Sequence, residues 1–155
     1  MTKPTPDTPL PEYEALAFFE GTWTVAELPP EREFRETCAW LPGGRRHMVC
    51  RSRLRTATGA LREGLSLFSY DPETGTYLYY GLRPSGAVET NRGTFDGERW
   101  ILMGEDRDGE TIRRRRVTIR KAESGGYHFM EETTDGDDSW RVVETCRYLP
   151  ASPEG

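Results

Sequence analysis

The sequence predicts an all-β fold: a single antiparallel meander β-barrel of about ten strands, with one short N-terminal helix closing one end. Three observations carry this. Beyond Gly21 the chain becomes a series of runs, each about 7 to 12 residues long and rich in Val, Thr, Tyr, Trp and Phe. Turn residues punctuate those runs at nine places. Finally, a chain that is 35% hydrophobic and 30% charged must concentrate its apolar side chains on one face of its elements, as a thin sheet closed on itself does.

The elements follow in order. Residues 1–10 are polar and proline-rich and read as a flexible tail, the barrel spans 11–149, and 150–155 read as a second tail. Pro11 to Phe18 has proline at a helix start, acids in the first turn and good helix formers after them, which predicts one short helix ending before Gly21. The turns are Leu28-Pro29-Pro30, Pro42-Gly43-Gly44, Thr58-Gly59, Asp71 to Gly75, Pro84-Ser85-Gly86, Asp96-Gly97, Asp108-Gly109, Ser124-Gly125-Gly126 and Asp135-Gly136-Asp137. Asp-Gly suits tight two-residue hairpins, so consecutive strands pair as antiparallel neighbours. An open sheet of this size would leave two bare edges, and closure removes them.

Composition excludes several functions. Twenty-six acidic against 21 basic residues give a net charge of −5, so no cationic field is present to attract nucleic acid. No stretch approaches the roughly 20 apolar residues that cross a bilayer, so the expectation is a cytoplasmic protein without a membrane partner, as a monomer or homodimer. The three cysteines, at 38, 50 and 146, are odd in number and lack zinc spacing. They read as buried small hydrophobes, with neither a disulfide framework nor a metal. No cofactor motif appears either.

Phe18-Phe19-Glu20-Gly21-Thr22-Trp23 places Gly-x-Trp on the first strand, just after a short helix. With Leu41 to Arg45, Phe68 to Asp71, Gly93 to Gly97 and the late Trp140 to Tyr148 strand, it resembles a bacterial lipocalin-like family of the calycin superfamily. The resemblance implies a structural role for Gly21 and Trp23, with Trp23 at the closed end of the barrel and a late-strand arginine, Arg147 or Arg141, across its ring. The chain departs from secreted lipocalins in lacking paired disulfides. It departs from fatty-acid-binding proteins in lacking a closing Arg-x-Tyr.

Function then rests on what faces the lumen. In the strand from Gly109 to Lys121, Val117 and Ile119 mark the inward set, which carries Arg113 and Arg115 with it. Both are candidates for an anionic ligand group, against the plainer reading of a solvated charged face. Tyr77, Tyr79, Phe68, Trp100 and Phe129 are candidate ligand-lining rings, and ordinary core explains them equally well. Trp140 to Leu149 leaves both orientations open. The expected function is binding of a small, mainly apolar molecule, with an anionic group as a variant. The alternative is a cofactor-free cyclase, isomerase or hydratase in which Glu131, Glu144 and Tyr79 supply acid and base. His128, between Tyr127 and Phe129, would be the haem ligand in a minor alternative that the resemblance suggests.

Overall fold

The computed structural model of the chain describes residues 10–134 and 139–152. The short helix forms as expected: α1 (Pro11–Ala15) runs into a 3₁₀ turn at Leu16–Phe19, with Pro11 opening it and Glu12 and Glu14 in its first turn. Ten strands follow: β1 (Gly21–Val25), β2 (Glu33–Trp40), β3 (Met48–Arg55), β4 (Leu61–Asp71), β5 (Thr76–Leu82), β6 (Val88–Phe95), β7 (Arg99–Asp108), β8 (Thr111–Lys121), β9 (Tyr127–Thr134) and β10 (Arg141–Pro150). Each pairs antiparallel with the next, and β1 pairs with β10, so the meander closes into a barrel. The first eight predicted turns fall between the strands they were meant to join, while Asp135-Gly136-Asp137 lies outside the described residues.

Closure gives every strand two neighbours, which is what a long meander of polar-out strands needs, although β6 and β7 are joined only from Arg92↔Met103 to Phe95↔Trp100. The final strand reaches further than the domain limit read from sequence. Pro150 is paired with Trp23, and Ala151 donates its backbone N–H to the Thr22 carbonyl at 2.8 Å.

Alternation sorts each strand into an inner and an outer row. The inner rows near the helix are a packed aromatic core. Phe19 stacks on Phe68 at 4.1 Å, Trp100 on Phe95 at 4.0 Å, and Tyr127 on Tyr148 at 4.5 Å. Gly21 enters β1 at φ +130°, a backbone state that side chains disfavour, and it turns the chain from the helix into the sheet. Trp23 is buried and donates its indole N–H to the Phe19 carbonyl at 2.8 Å, which ties the plug to the wall.

The arginine expected across Trp23 is absent from that position. Arg147 is exposed and bonds Glu27 at 2.7 Å, because it alternates outward from Cys146 and Tyr148; Arg141 lies far down the same strand, at its other end. Trp23 packs instead on Phe18 and Tyr127. A cation does sit at the closed end: the Lys121 ammonium lies 4.9 Å from the Phe18 ring, 5.1 Å from Phe95 and 5.6 Å from Trp100.

The cysteine expectation also needs correcting. Cys38 and Cys50 are directly opposed on β2 and β3 and form a disulfide, leaving Cys146 as the free thiol. An odd count constrains the number of free thiols and says nothing about which pair meets. The hairpin register decides that, since 38 and 50 are equidistant from Gly44 in the intervening turn.

Candidate functional site

The lumen has two halves. Beside the helix, Phe19, Met48, Trp100 and Ile119 are fully buried and leave no room. Toward the opposite end, the inner-row residues Phe34, Leu54 and Cys146 keep part of their surface exposed, and this end is the mouth; Tyr148, stacked on Tyr127, stands between the two halves. Gly81 marks the opening on the β5 wall. It is buried, yet a Cβ there would meet nothing nearer than Glu89 Oε2 at 3.9 Å.

β2 supplies the central group. Phe34, Glu36, Cys38 and Trp40 form its inner row, so alternation alone carries the Glu36 carboxylate into an apolar wall. Glu36 is only 7% exposed. Its close polar neighbour is Cys38 Sγ, 3.9 Å from Oε1, and a disulfide sulfur has no proton to donate. Burial pushes the Glu36 carboxyl up from 4.5 to about 7, with the Arg83 guanidinium pulling partly the other way. A carboxyl so placed changes protonation near neutral pH.

Arg83 follows β5, and its guanidinium turns back over the mouth. It bonds Glu89 at 3.0 Å on the neighbouring strand and reaches within 4.0 Å of Glu131 across the lumen. Glu131 stands opposite the inward Val117 on β8, and burial, then the Glu89 charge, raises its carboxyl above the usual range. Three phenols complete the wall. Desolvation pushes Tyr79 up to about 12, and it pushes Tyr127 and Tyr148 up as well, so all three remain proton donors at neutral pH.

The inward set read for β8 is the one found. Arg115 is 1% exposed and spends its donors on the wall: Nε to Asn91 Oδ1 at 2.9 Å, one terminal nitrogen to Asp106 and the other to the Thr90 carbonyl at 3.4 Å. The inner row of β7 makes space for it at Gly104, where a Cβ would lie 2.7 Å from Asn91 Oδ1 and 2.6 Å from the Thr90 carbonyl oxygen. Arg113 shares the row nearer the rim.

The candidate rings divide between the two halves. Phe68, Tyr77 and Trp100 belong to the packed half, with Tyr77 donating its hydroxyl to the Glu12 carbonyl at 2.9 Å. Tyr79 and Phe129 face each other across the lumen at 6.3 Å and border the open half. On β10 a register shift between Val142 and Glu144 settles the two-way reading, turning Glu144, Cys146 and Tyr148 to the inner row opposite Glu131, Phe129 and Tyr127. Glu144 itself is exposed at the rim. His128 stands on the outer wall, exposed, between Arg120 and Arg147, where a lumen ligand cannot reach it.

Sequence reasoning missed Glu36, Arg83 and Glu89. Glu36 had a signal, a lone acid in the row Phe34, Cys38, Trp40. Arg83 had none, because a loop side chain folding back over a barrel is decided by tertiary structure. A groove of about 700 Å³ on the outer wall, lined by Arg32, Arg35, Arg53 and Arg55, offers a lesser alternative. Two of its arginines are engaged there in ion pairs, Arg53 with Glu63 and Arg55 with Glu33.

Fold and site together define a closed ten-stranded meander barrel with one packed end and one polar, aromatic mouth. No protein-family model matches the chain, and no curated protein matches it.

Proposed function

We propose that the barrel binds a small molecule in the mouth half of its lumen, as its resemblance to the calycins implies. The observation that carries this reading is Glu36, a buried carboxyl whose polar contact is a disulfide sulfur, on the same inner wall as Gly81, where a side chain is missing beside Glu89 and Arg83. Leaving such a group unsatisfied costs about 1–3 kcal/mol, which a ligand N–H or O–H would recover. Phe34, Phe129 and Tyr148 offer an apolar body its contact surface. Arg115 and Arg83 already hold protein acceptors, so the demand that Glu36 leaves unmet is for a donor.

Catalysis is the second reading, and one observation favours it: Glu36 titrates near neutral pH among phenols that stay protonated. That pairing suits a cofactor-free isomerase or hydratase, with Glu36 as base and Tyr79 as acid in place of Glu144 and Glu131.

The test is fluorescence titration with N-phenylnaphthylamine, an uncharged probe that brightens in apolar surroundings. Wild-type protein should give saturable binding, and Gly81→Leu, which fills the lumen from an ordinary strand position, should weaken it by about tenfold or more. A Gly81→Leu protein with native near-ultraviolet circular dichroism and unchanged affinity would refute lumen binding.

A further inference from the structure

We propose that the reduced chain binds one thiophilic divalent cation between Cys38 Sγ, Cys50 Sγ and a Glu36 carboxylate oxygen, with the lumen side open for a fourth ligand. One potential ligand atom from each of these three residues lies within 4.8 Å of the others, and all three residues are buried. Cys38 and Cys50 face each other across β2 and β3, and Glu36 stands two residues from Cys38 in the same inner row. Two thiolates and a carboxylate form a donor set suited to zinc. At zinc bond lengths of about 2.0–2.3 Å, tetrahedral ligand atoms sit about 3.3–3.8 Å apart. The Glu36 oxygen, 3.9 Å from Cys38 Sγ, is close to that range, and the two sulfurs, bonded in the bridge, move apart on reduction.

Two features of the site become intelligible on this reading. Glu36 is buried beside sulfurs that give it no proton, and a cation supplies the missing positive partner. Arg83 lies near enough to act on Glu36, so it offsets part of the excess negative charge of two thiolates and a carboxylate. The site shares Glu36 with the small-molecule reading, and the two are separable because the cation needs the reduced thiols.

The disulfide and the metal are alternatives. A dithiol reductant gives two electrons and two protons to the Cys38–Cys50 bond, leaving two thiols here and a disulfide in the reductant. The cation then displaces both thiol protons to solvent, together with the Glu36 proton where that group holds one. In a reducing compartment the pair would stand as thiols, ready to bind; in an oxidising one it would stay bridged.

The probe is Co²⁺, added without oxygen to protein reduced by a phosphine. One equivalent per chain should produce a sulfur-to-cobalt charge-transfer band and the strong visible absorption of four-coordinate cobalt, both lost when Zn²⁺ is added. Oxidised protein should show neither band. Cys146→Ser should keep the spectrum, Cys38→Ser should lose it, and Glu36→Gln should weaken Co²⁺ binding by about tenfold or more. No charge-transfer band in the reduced wild type, folded or unfolded, overturns the proposal. So does a band that survives Cys38→Ser or depends on Cys146. Should Cys38→Ser fail to fold, the oxidised and reduced wild type together with Cys146→Ser still decide.

Discussion

Glu36 concentrates the residue-scale argument, since one carboxyl placed by strand alternation is both the most costly group in the lumen and the most useful. In the bridged protein its pKa rises from 4.5 to about 7, so between those values the folded chain holds a proton that the unfolded chain has lost. Stability is therefore full below pH 4.5, falls as pH rises through that window, and stays low above it. The gap corresponds to about 3 kcal/mol. Glu36→Gln abolishes this slope, so the variant should gain up to about 3 kcal/mol over wild type between pH 5 and pH 8. Urea unfolding at the two pH values measures it, and parallel pH dependence of the two proteins would remove Glu36 as the cause.

At the scale of elements, β8 shows how far a strand can be read and where reading stops. Its inner face was legible because Val117 and Ile119 fix the parity that Arg113 and Arg115 must share. What Arg115 does there was not legible, because Asn91, Thr90 and Asp106 come from β6 and β7, and register between strands is a tertiary property. On β10 the register shift at Val142 and Glu144 reverses the pattern partway, so no single alternation could describe that strand. The Arg115 network makes an asymmetric prediction. Arg115→Met leaves a buried Asn91 oxygen unmet and frees an Asp106 side chain that is 54% exposed, at a cost of about 1–3 kcal/mol. Asp106→Ala leaves a guanidinium that is 1% exposed with two neutral acceptors, Asn91 and the Thr90 carbonyl, and no bonded carboxylate, Glu131 being only a partial replacement, and costs about 3–5 kcal/mol. The more exposed partner should thus prove the more sensitive in thermal or urea unfolding, and the reverse order would show that Arg115 does not depend on Asp106.

On the scale of the whole molecule, class, strand number and connectivity were legible because turn residues mark the first eight reversals and a polar chain of this length needs closure. The cross-links were not, for they depend on which inner-row residues meet once the register is set. Lys121 over the closed end replaced the arginine expected there, and the Cys38–Cys50 bridge replaced two lone thiols. The bridge joins strands already held by eight register pairs from Glu33↔Arg55 to Trp40↔Met48, so the reduced barrel should keep its fold. Closure across β1 and β10 rests on three register pairs, Trp23↔Pro150 to Val25↔Tyr148, and two flanking backbone bonds, Ala26 N–H to the Arg147 carbonyl and Ala151 N–H to the Thr22 carbonyl; β2 is the neighbour that steadies β1. Reduction should therefore lower the stability of the whole barrel in one cooperative step. For cysteines 12 residues apart, chain entropy sets the loss at about 3 kcal/mol. In a domain of this size that loss corresponds to a fall in Tm on the order of 6–12 °C. Scanning calorimetry of oxidised and reduced protein measures the difference. An unchanged Tm would mean that the bridge adds nothing to closure, whereas two separate transitions would mean that the seam and the rest of the barrel unfold independently.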